Sequence, residues 1–252
     1  RVYRVVMDNR PLAKVESMTE RSVEELIGLL AHPTDRVRYR AKLELAGRDE
    51  DEVVPAVDAW LASLDTADTA SEHHRLEALW TLRHFDQVDA DLLEAVLTSP
   101  DARARAAGMR VLAAIIDRVP HPHAMVMRAA ADESPRVRLE ALRTACELRT
   151  PEAVEALAIV EEFPGDRFMA YVTREAARVL VPAFEAARSR GEPLAFTSDA
   201  GWRYLYSSMS NDELTAEPRS LPVCREMLLR AGLDERLRSD SVERIAEADG
   251  RS

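Results

Sequence analysis

The chain has 252 residues, of which 46% are hydrophobic and 31% charged, with eight glycines and a formal net charge of −11. This is neither a disordered nor a membrane composition, and the longest apolar run, residues 111–116, falls far short of the ~20 residues that cross a bilayer. The acidic balance argues against sequence-independent binding of nucleic acid, which needs a basic surface. Abundant Ala, Leu, Glu and Arg favour helices.

Residues 1–16 open with "RVYRVVM", rich in β-branched and aromatic side chains, and read as a short extended stub. Ser22 and Glu25 then have the spacing of a capping box, in which each residue's side chain satisfies the other's backbone N–H, and open a helix over 23–31. Its partner is expected over 35–47. Further pairs follow at 51–64 with 72–85, 89–98 with 101–118, 122–132 with 135–148, and 151–162 with 167–188. Links such as "AHPTD", "TSPDA" and "DESP" are short and carry turn residues, as antiparallel helix pairs require. Pro135 and Pro151 suit the first turn of a helix, where a missing N–H costs nothing, whereas Pro182 is expected to bend or end the last long helix. Beyond "GEP" at 191–193 the pattern loosens, with helices expected near 223–231 and 235–246. The organisation expected is therefore a stub at 1–16, repeated pairs over 17–190 and divergent helices over 191–252.

The second helices of these pairs share a pattern. Arg38, Arg75, Arg105 and Arg138 line up at spacings of 37, 30 and 33, with Arg174 as a looser fifth member 36 further on. Three residues after each stands a small side chain (Ala41, Ala78, Gly108, Ala141, Ala177), and seven after an apolar one (Leu45, Leu82, Leu112, Ala145, Val181). With the residue one before, these offsets advance by four and fall on one helix stripe, whose small member lets another helix approach. "RLEAL" occurs twice, from Arg75 and from Arg138, because equivalent helices face equivalent neighbours. A helix pair recurring every 30–37 residues implies an all-α chain, an α-solenoid of antiparallel pairs.

A cation in the first turn of a helix opposes the helix dipole, so the repeated arginines need an offset. Asp35, Glu72, Asp101 and Glu133 stand just upstream, placed to cap their own helices and to meet the arginine of the neighbouring repeat. Arg38, Arg75, Arg105 and Arg138 are thus expected to form a structural ladder; a row of phosphate-binding arginines is the functional alternative.

The pattern Asp/Pro-x-x-Val-Arg-x-x-Ala-x-x-x-Leu resembles HEAT repeats of the shorter bacterial kind. Across most of the chain, "RVYRVVMDNRPL", "LEALW", "SPRVRLEALRTA" and "PVCREMLLRAGLDERLR" occur in the order found in a planctomycete-type multidomain family named for a membrane-bound dehydrogenase. In that family a β-propeller precedes a HEAT-like array and a c-type cytochrome follows. The resemblance implies that this chain is the middle segment, a non-catalytic scaffold or protein-interaction module, and that its surroundings are exported or periplasmic. It also implies that residues 1–7 are the last strand of a propeller. Neither cysteine sits in C-x-x-C-H, so no redox residue of the family carries over.

Other site readings are sparse. His121 and His123 flank Pro122 at a helix entrance with no evident third metal ligand, and read as a solvated helix start. His74 falls on the core stripe, away from His73. Cys146 and Cys224 lie in apolar helical patterns and read as free thiols. Trp202, Tyr204 and Tyr206 concentrate aromatics in a chain that has few, and are the candidate interaction surface. No cofactor, metal, nucleic acid or membrane insertion is expected, and the expected partner is protein. The competing readings are a HEAT-like enzyme (a metal-dependent hydroxylase, a lyase or a DNA glycosylase) and a free-standing peptide-binding adaptor. The hydroxylase reading lacks its His-Glu dipeptides, and the glycosylase reading lacks a basic chain.

Overall fold

The computed structural model describes residues 8–9, 17–65 and 68–250. The expected strand at 1–7 lies outside the described residues, as does nearly all of the stub. The described residues form fourteen α-helices and a few short 3-10 turns, with no strand. They group into two compact units, Arg1–Asp89 and Ala90–Ser252.

In the first unit the capping box is in place: Ser22 Oγ accepts the Glu25 N–H, and Glu25 Oε2 accepts the Ser22 N–H at 2.9 Å. It starts α1 (Val23–Gly28), which packs against α2 (Asp35–Leu45) and α3 (Glu50–Ser63). Helix α4 (Ala70–His84) packs on α3. Leu26, Leu30, Leu45, Val53, Val57 and Leu82 fill the core between them. Helix α4 starts two residues earlier than the sequence implies, so Arg75 is its sixth residue and does not sit in the first turn.

The second unit contains α5 (Ala90–Leu97), α6 (Ala102–Ile115), α7 (Pro122–Ala130), α8 (Pro135–Ala145), α9 (Glu155–Glu161) and α10 (Arg167–Ser189). Helix α5 packs on α6 and α7 on α8; α6, α8 and α10 lie side by side, and α9 lies beside α7. The small-residue stripe explains how closely they approach. Ala41, Ala78 and Ala141 are fully buried. At Gly108 a Cβ would sit 3.0 Å from Val96 Cγ1 and 3.1 Å from Leu97 Cδ2, so α5 comes within reach only because that side chain is absent.

Helix α10 departs from the expected frame. Its buried side is Met169, Ala176, Leu180, Phe184 and Ala187, while Arg174 is exposed and Ala177 and Val181 are only half-buried. The match of Arg174 to the repeated arginines is therefore one residue out of step, because burial in this helix begins at Met169, the third residue after the Asp166 cap. The helix also continues through Pro182 to Ser189 instead of ending there, with Phe184 and Ala187 buried beyond the proline.

Two helices were not foreseen. α11 (Asp199–Ser207) holds the aromatic run, and α12 (Asn211–Ala216) opens on a second capping box, Ser210 with Glu213. α13 (Leu221–Leu229) and α14 (Glu235–Ala248) complete the chain. α11 packs on α9, α13 on α11, and α14 on α13.

Candidate functional site

Three of the repeated arginines are the fourth residue of their helices, and all three do the same thing. Arg38 Nη1 donates to the carbonyls of His32 (2.8 Å) and Pro33 (3.1 Å). Arg105 Nη1 donates to those of Ser99 (2.8 Å) and Pro100 (3.2 Å), and Arg138 Nη1 to those of Asp132 (2.7 Å) and Glu133 (2.9 Å). Each guanidinium thus ties down the link six and five residues behind it, supplying donors to carbonyls that the turn leaves unpaired. The remaining nitrogens reach onward. Arg38 Nε meets Glu77 Oε1 at 3.0 Å, and Arg105 grips Asp132 with Nε (2.7 Å) and Nη2 (2.8 Å). Arg138, only 4% exposed, has its guanidinium 4.4 Å over the Phe163 ring, with Nη2 3.5 Å from the Pro164 carbonyl. Arg75 differs, since its described partner is Glu72 of its own helix, at 2.5 Å.

The acids upstream divide the work differently from the expected ladder. Asp35 pairs with Arg38 of its own helix, and Asp101 caps α6 while holding Arg103. The carboxylates that take a repeated arginine of another pair are Glu77, Asp132 and, among the expected acids, Glu133, whose Oε1 lies 3.5 Å from Arg105 Nη2. Glu77 is buried in α4 and takes Arg38, Lys42 (2.5 Å) and His73 (3.1 Å) at once. Burial raises the Asp132 carboxyl, but the bonds from Arg105 and the Ser134 N–H and the nearby Arg138 charge outweigh it, leaving the group below the usual carboxylate range. Beside this pair a cleft of about 560 Å³ opens between Leu97, Met125, Arg128 and Asp132.

The aromatic candidates are more internal than their sequence suggests. Tyr206 is 6% exposed and stacks on Trp202, with ring centroids 5.8 Å apart and planes at 19°. Burial pushes its phenol up, partly offset by a hydrogen bond with Ser220. Trp202 meets Phe196 edge-on at 5.6 Å, and Tyr204 meets Phe184 at 5.3 Å. These rings join α10 and α11, with Tyr206 buried and Trp202 and Tyr204 half-buried. Trp202 and Tyr206 line one side of a cleft of about 660 Å³ with Leu194, Met209, Glu217 and Pro218, while Tyr204 lines a second, beside Glu161 and Glu162.

No protein-family model, curated protein or solved structure matches this chain.

Sequence reasoning missed Glu155. This fully buried carboxylate accepts from the Thr197 N–H (2.8 Å), the Thr197 hydroxyl (3.1 Å) and the Ser198 N–H, and so holds the segment that leads into α11. His123 Nε2 lies 3.7 Å from it, enclosed and without a hydrogen bond, while the rest of the side chain is partly exposed and His121 is exposed. The signal was a glutamate among the buried positions of "PEAVEALAIV". Among the described residues no three His, Cys, Asp or Glu side chains converge as metal ligands. Both cysteines are free, and burial pushes the Cys146 thiol up.

Proposed function

We propose that the chain is a non-catalytic scaffold, an α-solenoid of HEAT-like helix pairs that holds protein segments in position. The observation that carries this reading is the repeated arginine. Arg38, Arg105 and Arg138 take the same place in three helices, bind the same two link carbonyls, and spend their remaining donors or ring contact on the next pair. A group used in the same way in three helices serves the packing of those helices on their neighbours, although Arg75 and Arg174 do not share the arrangement. The family resemblance adds a setting, between a propeller and a cytochrome in an exported protein, and supports the same role.

Metal analysis and visible absorbance on the purified chain test the reading against its enzymatic rivals. The scaffold carries neither metal nor haem at stoichiometric level. An equimolar metal that survives dialysis, or a haem band, would contradict it.

A further inference from the structure

Charge is sorted between the helices of several pairs, α7 with Arg128 and no carboxylate excepted. In the second unit α5 carries Asp91 and Glu94 but no lysine or arginine, and residues 151–161 carry Glu152, Glu155 and Glu161, again with no cation. The helices packed in a row on the other side have the opposite balance. α6 holds three arginines and no carboxylate, α8 three with Glu140, and α10 four with Glu175 and Glu185. The first unit is sorted in part, with only acids on α1 and α3 and four cations against two acids on α2, while α4 is balanced with two of each.

Arg105 and Arg138 turn inward as described, and Arg188 turns to Ser208 and Glu213; the other arginines of this row are exposed. Arg103 and Arg110 on α6, Arg136 and Arg143 on α8, and Arg167 and Arg174 on α10 form three couples. The members of each are seven residues, or two turns, apart and so lie along one line of the helix. Glu140 receives Arg110 Nε at 2.8 Å and Arg143 Nη1 at 2.7 Å, which places the α6 and α8 lines on one surface. Arg136, Arg167 and Arg174 have no carboxylate partner among the described residues. The last two lie over aromatic rings, Arg167 at 4.7 Å from Phe168 and Arg174 at 5.9 Å from Tyr171. Phe168, Tyr171 and Val179 are 59%, 56% and 54% exposed, Tyr171 opposite the buried side of α10 and Phe168 and Val179 on its flank. Large apolar side chains beside unpaired guanidinium groups, in a chain of net charge −11, are the composition of a protein-binding patch.

We propose that the outward face of α6, α8 and α10 docks a polypeptide segment that is acidic and anchored by apolar side chains; this rests on the scaffold reading and names its partner class. A polypeptide fits better than nucleic acid for two reasons. Arg103, Arg110 and Arg143 already hold Asp101 and Glu140, so three guanidiniums are free for anions, and few phosphates could be neutralised at once. Exposed Phe, Tyr and Val offer purchase to apolar side chains, which sugar and phosphate lack.

Fluorescence anisotropy on the whole chain tests this with three labelled probes: a peptide alternating glutamate with leucine, its lysine counterpart, and oligothymidylate. The glutamate peptide should bind, more weakly as salt rises, and the lysine peptide should not. Arg174→Glu and Tyr171→Ser should each weaken that binding about tenfold or more without moving the melting temperature, while Arg236→Glu on α14 should leave it unchanged. Equal binding by all variants, no binding of the glutamate peptide, or tighter binding of oligothymidylate would each overturn the proposal. The scaffold reading stands or falls separately, on the metal and haem analysis.

Discussion

Arg138 shows how one side chain can be structural while looking like a binding group. Its guanidinium satisfies two link carbonyls, approaches a third at Pro164 and covers the Phe163 ring, and almost none of it meets solvent. Arg138→Ala would leave buried carbonyls without donors and open a void over Phe163, at a cost of about 2–4 kcal/mol. Arg138→Lys should recover little of this, because a single ammonium cannot span the same set of acceptors. Urea melts of the two variants measure it; a loss below about 0.5 kcal/mol for Arg138→Ala would remove the arginine from the structural account. Glu213 makes a second residue-scale case. The Ser210 N–H and hydroxyl and the Arg188 guanidinium hold its carboxyl at about 2, below the ordinary 4.5. Because the folded value is the lower one, the capping box contributes fully above about 4.5 and is lost as pH falls through about 2. A carbon-13 titration of the Glu213 carboxyl should find that low midpoint, and Arg188→Ala should raise it. A midpoint at the ordinary value in the unmodified chain would mean the box is not formed.

At the scale of elements, close approach decides what each helix tolerates. A Cβ on Gly201 would lie 2.8 Å from Phe196 Cβ and 2.9 Å from Glu155 Cγ, so Gly201→Ala should push α11 off α9 and cost about 1–3 kcal/mol. Gly28→Ala, where nothing lies within 4 Å, should be neutral or slightly stabilising in the same melt. Equal effects from the two would show that α11 does not sit where Gly201 permits. The helices that could be read from sequence are those whose periodicity and caps agree, such as α8, where Pro135 starts the helix and Val137, Ala141 and Ala145 are buried in step. The ones missed have conflicting signals. α11 has a glycine in its first turn and five aromatic or apolar residues among its nine, and only the closeness of Phe196 and Glu155 explains why the glycine is there. The frame of α10 slipped because an arginine three residues before an alanine is common in a helix of this composition, and only burial distinguishes Ala176 from Ala177. The link carbonyls that the arginines bind were not legible at all, since backbone acceptors leave no letter in the sequence.

At the scale of the whole molecule the central claim is that the helix pairs are interchangeable units. A chain organised around one long-range core depends on every segment being present, whereas a repeat array draws its stability from each unit and its neighbours. Gly108 and Ala141 are equivalent positions 33 residues apart, three after Arg105 and Arg138. Deleting residues 109–141 joins Gly108 to Leu142, keeps the glycine that α5 requires, and gives Arg105 the place beside Phe163 and Pro164 that Arg138 now holds. The decisive measurement is the urea unfolding of this shortened chain followed by circular dichroism. The account predicts the same helicity per residue and a cooperative transition, with a smaller m-value in keeping with the shorter chain. A broad, non-cooperative loss of signal, or a chain with little helix in the absence of urea, would contradict it.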